Sequence, residues 1–232
     1  AAAMEADGLT GHPRLWRRER DQLTVDMAAM LNDDDERRTE SNTRVVASEM
    51  PFGLEGQPPV AVPVPSGTVR MLGSADKVDV DPDGKVYVTD IKTGSKRSFE
   101  GITQDDPLAG ASRLQLPVYG LAARERFGTP ESQVHAEYWF VRKDPGRIGI
   151  TVDAEVIQTL ATTVELLTES ISSGLFPPRP PARPDFMWVQ CAYCNPDGIG
   201  HASARERWER QRHDPVLADL VGLVEPDALE EQ

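Results

Sequence analysis

The sequence predicts an α/β fold in which a mixed central β-sheet is flanked by helices. The elements are expected in the order helix, strand, hairpin, helix, strand, helix, because some segments carry apolar residues at helical spacing and others are rich in β-branched and aromatic residues. The turn sequence Asp81-Pro-Asp-Gly84 lies between two strand segments and predicts an antiparallel hairpin, since proline fixes one turn dihedral and glycine tolerates positive φ.

Composition limits the class of protein. A chain of 232 residues with 39% hydrophobic and 27% charged residues fits a soluble globular protein with one large domain or one domain with peripheral elements. The formal net charge of −13 argues against a protein that holds nucleic acid by bulk electrostatic attraction. A site that collects divalent cations must itself be acidic, so this charge does not exclude a metal-dependent enzyme.

The expected location follows from features that the sequence lacks. Two cysteines do not make a disulfide framework, and no apolar run reaches the length of a membrane span. The chain does not open with a signal peptide. We therefore expect a cytoplasmic protein without a membrane partner.

Residues 1–43 are predicted to form an N-terminal extension with one amphipathic helix. Apolar residues fall at helical spacing among charged neighbours at Trp16, Leu23, Met27, Met30 and Leu31. The polar stretch 32–42 is expected to end this helix. The three alanines before Met4 look like a cloning scar or the cut edge of a larger protein, which suggests a domain truncated at this edge.

Residues 44–176 are predicted to form the core of the domain. We expect strands at 44–50, 68–80, 85–91, 134–142 and 148–152, a loop at 53–66, and helices at 112–126 and 153–173. Ser112 is the expected N-cap of the first of these helices, and Gly174 ends the second. Residues 177–232 are expected to supply a Pro-rich connection at 177–184, a Cys-x-x-Cys segment and a tail helix around 202–213 that packs on the core.

Three polar residues of the hairpin form the candidate catalytic centre. Asp76 lies on the first strand and Asp90 near the end of the second, so pairing across the turn can bring the two carboxylates together. With the turn centred near its middle, position 76 is expected opposite 89 and diagonal to 90 or 91. Lys92 projects to the same face as Asp90 because side chains alternate along a strand. Carboxylates that hold a hard divalent cation beside an ammonium group suit phosphodiester hydrolysis.

These residues lie in two motifs that resemble a known family. Gly73-Ser-Ala-Asp-Lys-Val-Asp79 and Val88-Thr-Asp-Ile-Lys-Thr-Gly94 are similar to the Gly-x-x-Asp-Arg-Ile-Asp and Asp-x-Lys-Thr-Gly segments of RecB-type PD-(D/E)XK nucleases. The resemblance covers roughly residues 44–200. It implies a restriction-endonuclease-like fold, metal binding by Asp76 and Asp90, and Lys92 as the catalytic lysine. The Ile91 carbonyl is a further expected metal ligand.

The resemblance extends to other positions. Gln115-Leu-Pro-Val-Tyr119 matches the family's Gln-x-x-x-Tyr helix motif, and residues four apart share a helix face, so Gln115 and Tyr119 are expected at the metal site or on the DNA backbone. Lys77 replaces the more usual arginine and is a candidate DNA contact. Glu49, on the strand before the hairpin, supports either the metal or a neighbouring basic residue, or it is an ordinary surface residue at the end of the strand.

One family motif has no counterpart here. The family usually has a metal-binding His or Glu on its first helix, and only His12 is available upstream, in the non-matching context Gly11-His-Pro13. Either the chain begins after that motif or His12 replaces it, and we favour the first interpretation. The native protein is then expected to extend into a helicase domain or to join a helicase subunit.

The two cysteines are similar to part of a cluster-binding motif. Cys191-Ala-Tyr-Cys194 resembles the C-terminal cysteines of AddB-type nucleases, which hold a four-iron, four-sulfur cluster. Only two of the required cysteines are present, and zinc held with His201 would still lack a fourth ligand. We therefore expect no iron–sulfur cluster within this chain, and either a remnant metal site or a plain reduced pair.

Taken together, the motifs predict a Mg²⁺- or Mn²⁺-dependent deoxyribonuclease of RecB-like type, acting on DNA in recombination or repair and expected to be an exonuclease. One alternative is a catalytically silent module that keeps the fold to bind DNA or a helicase partner. Another is an acidic protein-interaction domain, which the net charge of −13 favours.

Overall fold

The computed structural model describes residues 2–177 and 201–225, with the backbone alone for residues 201–205. The chain forms two compact units. The first comprises Ala1–Val60, Arg70–Pro107 and Gln115–Val156, and the second comprises Ala61–Val69, Leu108–Leu114 and Ile157–Gln232.

The described elements follow the expected alternation of helices and strands. In chain order they are α1 (Ala2–Ala6), α2 (Pro13–Ser41), β1 (Arg44–Phe52), β2 (Val60–Val64), β3 (Gly67–Met71), β4 (Gly73–Val80), β5 (Val86–Lys92), α3 (Gln115–Phe127), β6 (Val134–Phe140), β7 (Gly146–Thr151), α4 (Ala154–Ser172), α5 (His201–Gln211) and α6 (Ala218–Val224). Two short 3-10 helices, Lys96–Phe99 and Pro215–Leu217, complete the set.

A five-stranded sheet with the order β1-β4-β5-β6-β7 forms the first unit's centre. Strands β5 and β6 are parallel, and the other three neighbouring pairs are antiparallel. This confirms the predicted α/β class with a mixed central sheet, and the arrangement is consistent with a restriction-endonuclease-like fold. Strands β2 and β3 form a separate two-stranded sheet.

The β4–β5 connection is a turn held by its first residue. The backbone N–H of Asp81 donates to the Lys85 carbonyl at 3.1 Å, and Asp81 Oδ1 accepts from the backbone N–H groups of Asp83 and Lys85 at 3.0 and 2.9 Å. Gly84 has a φ of +81°, which explains the glycine at this position. The predicted hairpin is confirmed, with a turn one residue longer than the four-residue sequence suggested.

Helix α3 packs against β4, β5 and β6. Its buried side chains include Leu116, Val118 and Leu121, and the strands that it packs against carry the buried valines Val78, Val86 and Val88. Gly120 permits the close approach of α3 to Val152, because a Cβ at position 120 would lie 2.8 Å from Val152 Cγ2.

The first helix is longer than predicted. The polar stretch 32–42 was expected to end it, yet α2 continues to Ser41. Ion pairs support this last part: Arg38 pairs with Asp34 at 3.1 Å within the helix, and Asp34 also contacts Lys77 of β4. The helix ends where Asn42 adopts a left-handed conformation with a φ of +50°.

Three further boundaries differ from the prediction. The expected loop at 53–66 contains β2, and the expected strand at 68–80 is divided into β3 and β4. Ser112 is not an N-cap: its hydroxyl donates to the Ala109 carbonyl at 2.7 Å, and α3 begins only at Gln115. Pro117 of the Gln115 motif lies in the first turn of α3, where a backbone N–H would have no partner within the helix, so its absence costs no hydrogen bond.

The second unit has a small core of its own. Trp208 is fully buried there with Leu217 and Val221. The Trp208 indole N–H donates to Glu225 Oε1 at 3.2 Å, and Arg212 contacts the other oxygen of that carboxylate at 3.0 Å. The predicted tail helix is confirmed as α5, whereas the Pro-rich connection from residue 178 onward lies outside the described residues.

Among the helices that the structure describes, none combines the length and apolar character needed to cross a bilayer.

Candidate active site

The structure brings Asp76, Asp90 and Lys92 together on one face of the sheet. In the β4–β5 ladder Lys77 pairs with Thr89 and Val78 with Val88. Asp76 and Asp90 are the next residues beyond the Lys77–Thr89 pair, where the ladder ends. The sequence had placed position 76 opposite 89, and the longer turn at Asp81–Lys85 explains the difference of one residue.

The backbone between Asp90 and Lys92 is tied to Asp76. The Ile91 N–H donates to Asp76 Oδ2 at 2.6 Å. This hydrogen bond leaves the other Asp76 oxygen as a further acceptor, and it holds the Ile91 peptide beside the carboxylate. The Ile91 carbonyl as a metal ligand stays a prediction.

Asp90 is the most buried of the three, with a relative exposure of 4%. Burial raises the pKa of its carboxyl, and the nearby charge of Asp76 raises it further, while the Lys92 ammonium lowers it. Lys92 Nζ forms an ion pair with Asp90 Oδ2, but among the described residues this buried oxygen accepts no hydrogen bond of regular geometry. The site therefore holds more negative charge than its single ammonium group neutralises.

Gln115 and Tyr119 lie one turn apart on α3, and the structure joins them. Gln115 Nε2 donates to the Tyr119 hydroxyl oxygen at 3.1 Å. Burial raises the pKa of Tyr119, and the Asp90 and Asp76 carboxylates raise it further against the opposing effect of Gln115. Tyr119 thus lies within electrostatic reach of both carboxylates and keeps its proton at neutral pH.

Sequence reasoning missed Tyr138. This fully buried residue of β6 is paired with Asp90 of β5. Its hydroxyl donates to Gln115 Oε1 at 3.2 Å, and Lys92 Nζ lies 5.3 Å from the centre of its ring. A buried tyrosine hydroxyl needs a polar partner. No local signal in the sequence points to Tyr138, because its contact with Gln115 depends on the pairing of β6 with β5.

Phe52 explains the glycine of the first motif. Its ring lies over Gly73, where a Cβ would come within 2.8 Å of Phe52 Cζ. The same ring meets Tyr119 edge to face, with the ring centres 5.7 Å apart. Gly73 therefore makes room for an aromatic side chain that supports Tyr119.

Glu49 lies on β1 between Ser48 and Met50, which pair with Lys77 and Ala75 of β4. The backbone of Glu49 therefore lies beside that of Asp76 on the neighbouring strand. The residue is exposed and has a φ of +49°, a left-handed conformation that is strained for a side chain of this kind. Glu49 as a metal ligand stays a prediction.

Lys77 projects to the opposite face of the sheet, since side chains alternate along β4. Its ammonium group is bound between Asp34 Oδ1 at 2.5 Å and Asp79 Oδ2 at 2.8 Å, with a side-chain exposure of 13%. The structure therefore places Lys77, the candidate DNA contact, in ion pairs with two carboxylates. We call this side of the sheet, which carries Lys77, Asp79, Thr89, Glu137 and Arg147, the charged face.

The remaining predicted positions lie elsewhere. His12 is the exposed N-cap residue of α2, where its Nδ1 accepts from the Arg14 N–H at 3.3 Å. Cys191 and Cys194 lie outside the described residues, so their role stays a prediction.

The donor set at Asp76 and Asp90 fits a hard divalent cation. Among the side chains that the structure describes, those of residues 2–177 and 206–225, no cluster of three or more His, Cys, Asp or Glu forms a complete metal site. Mg²⁺, however, is commonly held by one or two carboxylates together with water and substrate phosphates. Two neighbouring carboxylates, one with a buried oxygen that lacks a regular hydrogen bond, meet that requirement.

Comparison with known proteins adds one finding. The model of the PD-(D/E)XK nuclease superfamily matches residues 1–199. No curated protein matches the chain.

Proposed function

Since the chain belongs to the PD-(D/E)XK nuclease superfamily, we propose that it is a Mg²⁺- or Mn²⁺-dependent deoxyribonuclease with Asp76, Asp90 and Lys92 at its catalytic centre. Membership implies nuclease activity in general, DNA as substrate and divalent metal ions such as Mg²⁺. The observation that carries the proposal is the position of Asp76 and Asp90 directly beyond the Lys77–Thr89 pair of β4 and β5, with Lys92 ion-paired to Asp90.

The proposed chemistry assigns a role to each group of the chain. Asp76 and Asp90, with the Ile91 carbonyl, would hold the cation, which supplies positive charge beside the scissile phosphate and acidifies water. Lys92 orients the water that attacks phosphorus as the bond to the leaving oxygen breaks. Tyr119 donates a hydrogen bond to a phosphate oxygen. Asp90 is buried, so these electrostatic interactions act where water screens them least.

The finer parts of the proposal rest on the motifs. The order of the Gly73, Asp90 and Gln115 motifs is similar to that of RecB-type nucleases, and this supports a role in DNA recombination or repair. The net charge of −13 supports a nuclease module to which a helicase domain or subunit delivers DNA. An exonuclease acting on DNA ends is the mode that we propose for such a module, in the cytoplasm.

The test is a cleavage assay on linear duplex and single-stranded DNA with Mg²⁺ or Mn²⁺. We expect Asp90→Asn and Lys92→Met each to lower kcat/KM by about 100-fold or more, the usual effect of removing a preorganised electrostatic group. Comparison of end-labelled linear DNA with closed circular DNA reveals the mode, since an exonuclease leaves the circle intact.

Matched controls lie at the other end of the same hairpin. Asp83→Asn and Lys85→Met make the same charge changes in and beside the turn, and we expect both to keep full activity. Equal activity in all five proteins contradicts the assigned site. DNA binding without cleavage by the unmodified chain supports the silent-module alternative instead.

A further inference from the structure

Three side chains of α3 and β6 form a continuous hydrogen-bonded chain beside the carboxylates. The Tyr138 hydroxyl donates to Gln115 Oε1 at 3.2 Å, and Gln115 Nε2 donates to the Tyr119 oxygen at 3.1 Å. Tyr138 has an exposure of 0%, so its hydroxyl depends on a protein partner such as Gln115.

The order of donors and acceptors in this hydrogen-bonded series matters because the two ends of a glutamine amide differ. Its oxygen only accepts and its nitrogen only donates. While Tyr138 donates to the oxygen, the nitrogen end must face Tyr119. The Tyr119 oxygen then accepts from Gln115, and its own proton points elsewhere. If the amide had the opposite orientation, Tyr119 would donate to Gln115 Oε1, and its proton would no longer be available to a phosphate oxygen.

We propose that Tyr138 is a positioning residue that anchors the Gln115 amide beside Tyr119, so that the Tyr119 hydroxyl is held in place to donate a hydrogen bond to a phosphate oxygen of the substrate. This inference rests on the proposed nuclease function. It adds a residue that neither the motifs nor the family match assigns.

The Tyr138→Phe variant isolates the hydroxyl, because it keeps the ring beside Lys92 and the edge-to-face contact with Phe99, whose centre lies 4.8 Å from that of Tyr138. We expect kcat/KM to fall about fivefold to tenfold, the effect of one hydrogen bond. Tyr119→Phe should cause a similar loss. The double variant should be no worse than Tyr119→Phe alone, since the two residues act through one contact.

The matched control is Tyr87→Phe, on the neighbouring strand β5. Tyr87 lies on the charged face, where its ring meets His135 with the centres 6.2 Å apart. We expect this variant to keep the activity of the unmodified protein. Full activity in Tyr138→Phe, or losses that multiply in the Tyr119 and Tyr138 double variant, overturns the proposal.

A second measurement does not depend on cleavage. The side-chain amide ¹⁵N–¹H signals of Gln115, identified by their loss in Gln115→Leu, should shift in Tyr138→Phe and stay in place in Tyr87→Phe. Unchanged signals in Tyr138→Phe contradict the positioning role. An unmodified protein that cleaves no DNA under any metal condition contradicts the proposed function, whereas these signals still decide the role of Tyr138.

Discussion

Glu137 shows how strongly one residue's ionisation depends on its surroundings. It lies on the charged face with an exposure of 5%, where its carboxylate contacts Arg37 of α2 at 3.2 Å and His135 of β6 at 3.4 Å, as well as Arg147 of β7. Burial alone would raise the pKa of Glu137, but the hydrogen bond from His135 and the charges of Arg147 and Arg37 outweigh it. Together they lower the pKa from 4.5 to about 2.

The lowered pKa of Glu137 predicts an acid-dependent loss of stability. Because the folded-state pKa lies below the ordinary value, ionised Glu137 stabilises the fold above pH 4.5, and this contribution is lost as the pH falls towards about 2. The shift corresponds to about 3 kcal/mol. We expect urea unfolding of the Glu137→Gln variant to depend much less on pH over this interval than that of the unmodified protein.

A control for this measurement is Glu131→Gln, which removes an exposed carboxylate between α3 and β6. It should leave the pH dependence unchanged. Parallel stability curves for Glu137→Gln and the unmodified protein between pH 2 and 4.5 would falsify the assignment of this pKa to the contacts on the charged face.

At the scale of elements, the first motif depends on contact between β1, β4 and α3. Gly73 begins β4, the Phe52 ring of β1 covers it, and that ring supports Tyr119 of α3. A methyl group at position 73 must displace an almost fully buried ring. The motif glycine is therefore a packing requirement that acts on the site through an aromatic contact.

Gly73→Ala is expected to lower the free energy of unfolding by about 1–3 kcal/mol, as overpacking of a core usually does. It should also lower kcat/KM, because the displaced ring no longer supports Tyr119. Urea unfolding and the cleavage assay measure the two effects. Adding Phe52→Leu to Gly73→Ala makes room for the methyl group and should restore part of the stability.

Gly94→Ala is the stability control, because nothing lies within 4 Å of a Cβ at that position. We expect no loss of stability there. If Gly73→Ala is as stable and as active as the unmodified protein, the packing explanation is wrong.

Features that depend on local interactions could be predicted from the sequence, whereas features that depend on contacts between distant residues could not. The β4–β5 hairpin could be predicted, and with it the approach of Asp76 to Asp90, because the turn sequence and the alternation of side chains are local signals. The full length of α2 could not, since its polar end is stabilised by Asp34 contacting Lys77, 43 positions away. Tyr138 was also out of reach, because its role depends on the parallel pairing of β6 with β5 and on a contact with α3.

At the scale of the whole molecule, acidic residues outnumber basic ones, with 38 Asp and Glu against 25 Lys and Arg. Within the described ranges many of the basic groups are engaged by carboxylates, among them Arg37, Arg38, Lys77, Lys92, Arg142 and Arg147. Arg142, for example, contacts Asp26 and Glu19 of α2 at 2.9 and 3.0 Å. The net charge of −13 therefore opposes the binding of DNA phosphates by bulk electrostatic attraction.

We expect this chain alone to bind DNA weakly and through a divalent cation. With Ca²⁺ present, the logarithm of the association constant should fall with the logarithm of the salt concentration with a slope no steeper than about −3, since each neutralised phosphate contributes about −0.7 to −0.9. Fluorescence anisotropy with labelled single-stranded DNA measures the slope.

Asp90→Asn should weaken the binding that depends on Ca²⁺, and Asp83→Asn should not. Equal affinity in Ca²⁺ and in EDTA would show that DNA is held by a basic surface and not through the carboxylates. Absence of binding at low salt with Ca²⁺ would favour the acidic interaction domain.

Every residue of the proposed centre that the structure describes belongs to the first compact unit, from Asp76 through Tyr119 to Tyr138. The buried cluster of Trp208, Leu217 and Val221 belongs to the second. We therefore expect substitutions around Trp208 to change the stability of the second unit and to leave the proposed catalytic centre intact.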